Sequence, residues 1–177
     1  MKSKIISLSA VSAGLTAIFL IIGAYIEIFD LFTVIIASVF VILPLYYRSY
    51  KGSLLCALAG GVVAFLCSGF NILSLVFPAY FAFFAFYPIA KFYMMEKQIN
   101  KYICLIIGLI WLVAVAYGCY FYLVFIIGGA FDGLPLWIID YVVYIVAGVA
   151  VIFYFIYDRF LLVARFMADK YLRRIIK

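Results

Sequence analysis

The sequence predicts an all-α integral membrane protein: a bundle of six transmembrane helices with both termini cytoplasmic, plus a C-terminal amphipathic helix. Three observations carry this. Of 177 residues, 72% are hydrophobic and 11% are charged, against about 25% charged in a typical soluble domain, so the chain cannot cover its own surface in water. Apolar runs recur at the length of roughly 20 residues that a helix needs to cross a bilayer. The charges, a net +6, sit in short clusters beside those runs. That is the pattern of a topology signal and of contact with anionic lipid headgroups, not of a nucleic-acid footprint.

The spans are read at 5–29, 31–47, 53–69, 73–95, 102–129 and 136–157, one transmembrane domain over residues 1–157. The first follows a Lys2/Lys4 tail and lacks a small-residue cleavage site after a short apolar core, so it is expected to be retained. The second has 17 residues, which at about 1.5 Å each reach roughly 26 Å, enough for an upright helix. The fifth, at 28 residues, must tilt, bend or project. The links are Asp30 with its neighbours, Arg48–Gly52, Gly69–Asn71, Glu96–Lys101 and Ala130–Pro135. Such short links force antiparallel neighbours. Pro44 and Pro88 stand near the inner ends of spans two and four, where a kink is tolerated if neighbours satisfy the freed carbonyl. Gly128-Gly129 is placed to end span five and Pro135 to start span six.

With six spans, all 13 basic residues fall on one side: the tail, Arg48 and Lys51, Lys91, Lys97 and Lys101, and the C-terminal cluster from Arg159 to Lys177. Glu27, Asp30, Asp132 and, deeper, Asp140 fall on the other. Basic residues of short loops stay cytoplasmic, which predicts a multi-pass protein of the cytoplasmic (inner) membrane with both termini inside. Residues 158–177 read as a separate amphipathic helix. Ala164, Met167, Ala168, Tyr171, Leu172 and Ile175 form its apolar face, and Arg165, Asp169, Lys170, Arg173, Arg174 and Lys177 its polar one. It suits either an anchor on the anionic inner leaflet or a docking arm for a cytoplasmic partner.

Much chemistry is excluded. The chain has no histidine, which removes Ser-His and Cys-His nucleophiles, H-E-x-x-H zinc sites and the usual haem ligation. Its acids are scattered singly, and Cys56, Cys67, Cys104 and Cys119 form no C-x-x-C pair, reading as apolar packing thiols. No enzyme, no metal and no cofactor is expected. Gly60-Gly61 lies mid-span, where small residues allow close helix packing.

Two features rise above packing. Asp140, about one turn into span six, is costly at that depth and has no basic residue on its side to pair with. With Trp137 and Tyr144 from its own helix, Tyr120 from span five and Asn71 from the third link, it forms a candidate ligand pocket open to the outside, suited to a cationic or hydrogen-bond-donating ligand. The competing reading is an interfacial acid in an aromatic belt. Glu27 and Asp30 read as plain loop charge. The second feature is the stripe Ala10, Ala13, Gly14 and Ala17 on span one, with small-xxx-small spacing at Ala13 and Ala17. It fits docking of a partner helix or packing within the bundle.

The segments Ser9-Ala-Val-Ser-Ala-Gly-Leu-Thr-Ala17 and Tyr47-Arg-Ser-Tyr-Lys-Gly-Ser-Leu54, with the size and span count, resemble the substrate-binding S components of energy-coupling-factor (ECF) transporters. The resemblance implies that the span-one stripe docks a transmembrane coupling subunit. It implies an outward pocket, built largely by spans four to six and the first outer loop, that binds a vitamin-like molecule. It also implies two cytoplasmic ATPases that drive toppling of the subunit. The first outer link is shorter here than the family's gating loop, and the absence of histidine argues against the nickel and cobalt members. A rival of another class is a non-transporting membrane scaffold, similar to the rod-shape-determining membrane proteins, that holds partners and has no pocket.

Overall fold

Proline and left-handed residues mark where the apolar runs break. The computed structural model describes residues 2–71, 74–124 and 136–175, with the side chains at 2, 27, 136–140 and 172–175 outside the description. The described residues are mostly helical and contain no strand. Helix α1 (Lys2–Tyr25) leads through a 3₁₀ turn (Glu27–Phe29) into α2 (Asp30–Ile42), which tightens to 3₁₀ over Leu43–Tyr47. Then come α3 (Tyr50–Cys67), α4 (Val76–Ala79), a π-helical turn (Tyr80–Phe84), α5 (Tyr87–Glu96), α6 (Lys101–Tyr122) and α7 (Leu136–Ile175). Among the described residues six helices are long and apolar enough to cross a membrane: Ser3–Tyr25, Asp30–Tyr47, Tyr50–Cys67, Val76–Glu96, Lys101–Tyr122 and Tyr141–Tyr171. Their outward faces are apolar, with Leu55 on α3, Ile110 on α6 and Ile152 on α7 all exposed, as hydrocarbon surroundings require.

The irregular turns have local causes. Pro44 cannot donate a backbone hydrogen bond, so the end of α2 tightens and closes on Arg48 at φ 53°. The Ser53 hydroxyl donates to the carbonyl of Val41 beside that break, and the Ser49 hydroxyl caps α3 by accepting from Gly52 N at 3.1 Å. Pro88 leaves the preceding turn without its regular bond. The turn widens so that Ala85 N reaches Tyr80 O at 2.8 Å, and Trp111 of α6 donates from Nε1 to Ala82 O at 2.9 Å. A kink in span four thus becomes a place where another helix attaches.

Small residues set the closest approaches. A Cβ at Gly60 would lie 2.9 Å from Ala13 O and from the Thr16 side chain, so glycine brings α3 against α1. Gly61 faces Phe81 and Tyr80 on the other side, and Gly108 admits Tyr87 and Tyr154 against α6. The span-one stripe divides: Ala17 is buried and Ala13 half-buried in the contact with α3, whereas Ala10 and Gly14 are exposed. At the opposite corner Arg48 Nε lies 3.8 Å from Glu96 Oε1, which also accepts from Tyr50 through its other oxygen. The α2–α3 turn and the foot of α5 therefore share one end of the bundle, the basic end; Asp30 marks the other.

One expectation is corrected. No separate element begins at Asp158: α7 runs unbroken from Leu136 to Ile175. Nothing in Asp158–Lys177 stops a helix, since the stretch holds neither glycine nor proline. Residues expected on its polar face turn inward as well: Arg165 stacks over Phe92 of α5 at 4.3 Å from the ring centroid.

Candidate functional site

A cavity of about 440 Å³ opens between the acidic-end halves of α2, α4, α6 and α7, within the roughly 300–1,000 Å³ of small-molecule sites. Leu31 and Val34 of α2, Val76 and Ala79 of α4, Leu112, Ala116 and Cys119 of α6, and the α7 run from Ile145 to Phe153 form its walls. Phe84 contributes from the π-helical turn, and Asp30, the first residue of α2, is also among the lining residues. Thr33 donates to the Asp30 carbonyl at 3.0 Å, holding the first turn of α2 in place. Tyr117 fastens α6 to α7 beside the cavity by donating to Val143 O at 3.1 Å.

Towards the basic end the cavity is closed by aromatic packing. Phe84 and Phe153 both rest on the buried Tyr157, with ring centroids 5.1 and 5.9 Å away. Phe83 stacks on Tyr87 at 4.6 Å. The Tyr157 hydroxyl donates to Ser38 Oγ at 2.8 Å, which in turn donates to Ile35 O at 2.6 Å.

Below this layer lies a buried ion pair. Lys91 Nζ is 2.6 Å from Asp158 Oδ1 and 2.7 Å from the Asp158 backbone carbonyl, with 7% and 19% of the two side chains exposed. Tyr87 donates to the same carboxylate oxygen at 2.8 Å. Having spent its one proton there, Tyr87 accepts from Tyr154, 2.9 Å away. The carboxylate is thus held by a cation and a hydroxyl, the arrangement that keeps a charged pair tolerable away from water. The network joins α5 to α7. Nearer the basic end, Arg48, Glu96, Arg165 and Asp169 border a second, polar cleft of about 420 Å³.

Of the five residues singled out from sequence, the three whose side chains are described, Asn71, Tyr120 and Tyr144, are not among the described lining residues of the cavity. Asn71 donates from Nδ2 to Ala24 O at 3.3 Å, tying the α3–α4 link to the end of α1. Tyr120 is half-buried against Phe121, and Tyr144 is 73% exposed beside Tyr141. The side chains of Trp137 and Asp140 lie outside the described residues. Sequence reasoning missed Asp30 as a lining residue, and it missed the Lys91–Asp158 pair. A lysine one turn into an apolar span was a usable signal, since such a charge calls for a partner. Among the described residues no three His, Cys, Asp or Glu side chains gather as a metal site. No protein family, no curated protein and no solved structure matches the chain.

Proposed function

We propose that the protein is the membrane-embedded substrate-binding subunit of an uptake system for a vitamin or other small molecule, of the ECF S-component kind. One observation carries this reading: an apolar cavity of about 440 Å³ lies among the acidic-end halves of α2, α4, α6 and α7 and is backed towards the basic end by Phe84 and Phe153 packed on Tyr157. An apolar cavity of small-molecule size suits capture and handover; a pure scaffold needs none. With the basic residues held at the cytosol, both termini are inside and the cavity lies in the outer half of the bundle. Ala10 and Gly14 are exposed, a Cβ at Gly14 would meet nothing within 4 Å, and together they form the face offered to a transmembrane coupling subunit. Cytoplasmic ATPases would act from the basic end, and the basic C-terminal part of α7 would meet the anionic inner leaflet.

Native mass spectrometry of the full chain purified from membranes is expected to release a non-lipid small molecule at one per protein. Ala116→Trp, which fills the cavity, should abolish it while the protein still purifies as a folded species. A wild-type protein that carries and takes up no small molecule would remove the reading and leave the scaffold. Orientation has its own check: a reporter fused after Lys177 should signal from the cytoplasm, and an external signal would put the cavity in the inner half.

A further inference from the structure

We infer that the polar cleft at the basic end holds the headgroup of a zwitterionic phospholipid, one that joins a phosphate to a primary ammonium as phosphatidylethanolamine does. The site is separate from the apolar cavity at the acidic end and does not depend on what that cavity binds. Its level in the membrane comes from the spans. Span two ends at Tyr47 and span four at Glu96. Arg48 and Glu96, paired at 3.8 Å on the border of the cleft, therefore stand where hydrocarbon gives way to headgroups. The rest of the cleft is lined by Phe92, Met95, Leu162 and Phe166, with Met95 and Phe166 exposed. A site half charged and half apolar at that level matches the junction of headgroup and acyl chains; a water-soluble ion has no use for the apolar wall.

The headgroup class follows from the charges. Arg48 and Arg165 supply two cations, and Glu96 and Asp169 supply two anions. Arg165 stacks on Phe92 through the face of its guanidinium, 4.3 Å from the ring centroid, and the N–H edge that matches phosphate is a separate part of the group. Arg48 is held loosely, with 83% of its side chain exposed, so it can turn to a phosphate at little cost. Asp169 stands one turn beyond Arg165 on α7 and is half-buried. With the phosphate on the two arginines, an ammonium with three N–H donors suits Glu96 and Asp169. A headgroup carrying a phosphate alone would bring like charge against both carboxylates, which disfavours it. A choline has no N–H to donate and is recognised on open aromatic faces, whereas the Phe92 ring is covered by Arg165.

Native mass spectrometry of the full chain in a neutral detergent tests this with three lipids of identical acyl chains: phosphatidylethanolamine, phosphatidylcholine and phosphatidylglycerol. The ethanolamine lipid should form a one-to-one adduct at concentrations about tenfold below those the other two need. Asp169→Asn should bring it to the level of the choline lipid, and Arg165→Gln should weaken it and the glycerol lipid together. Both variants alter half-exposed side chains and should keep the unfolding midpoint within a few degrees of the unaltered protein. Phosphatidylglycerol binding as tightly as the ethanolamine lipid, or equal binding of the ethanolamine and choline lipids, would overturn the headgroup class. An ethanolamine preference that survives both substitutions would overturn the cleft as the site. Free phosphoethanolamine at the same concentration as the lipid should leave the adduct in place; displacement would make the occupant a water-soluble amino-phosphate and overturn the lipid.

Discussion

Asp158→Ala is expected to lower the unfolding free energy by about 3–5 kcal/mol, on the order of 10 °C in melting temperature for a chain of this size. The loss is large because the substitution leaves the Lys91 ammonium buried with one backbone carbonyl and no counter-charge, and strips Tyr87 of its acceptor. The double substitution Lys91→Met/Asp158→Leu should recover most of that loss, since replacing both charges by apolar groups removes the desolvation cost with the attraction. Arg48→Ala supplies the contrast. It breaks the Arg48–Glu96 pair at 3.8 Å, where 83% of the Arg48 side chain is exposed, and should cost less than about 1 kcal/mol. Thermal unfolding in detergent, followed by tryptophan fluorescence, reads all three. A single Asp158→Ala change no larger than Arg48→Ala would show that water reaches the pair.

Gly60→Leu is expected to cost roughly 1–3 kcal/mol or more through overpacking, because its Cβ alone would press on the Ala13 carbonyl and Thr16 at 2.9 Å. Gly14→Leu is the control on the facing helix. A Cβ there meets nothing within 4 Å, and a surface change of that kind lies within about 0.5 kcal/mol. Unfolding midpoints should separate the two variants by several degrees. In the S-component reading Gly14→Leu would still impair assembly with a coupling subunit, so stability and pull-down report different faces of α1. Equal loss of stability in both variants would mean that the α1–α3 seam does not depend on glycine.

The six spans were legible because hydrocarbon imposes length and polarity on each run separately, and those are local properties. The kinks were legible in part. Pro44 and Pro88 were read as sites of tolerated kinks, but the attachment of Trp111 to Ala82 O within the widened turn at Tyr80–Phe84 comes from another helix and has no local signature. The site was read less well for the same reason. Lys91 and Asp158 stand 67 positions apart, and each alone resembles ordinary charge at the end of a span. Asp30 looked like loop charge until α2, α4, α6 and α7 enclosed a cavity beside it. The boundary expected at Asp158 came from composition, where charge density rises, although the stretch carries no helix-stopping residue.

The unbroken α7 has a mechanical consequence. Its 40 residues make a rod roughly 60 Å long, about twice the thickness of the hydrocarbon layer. Ile145 to Phe153, which face the cavity, and Arg165 to Asp169, which border the polar cleft, ride on the same stiff lever. A rigid tilt of about 10° about the level of Asp158 would carry each end through roughly 5 Å, so the cavity wall and the border of the polar cleft would shift together.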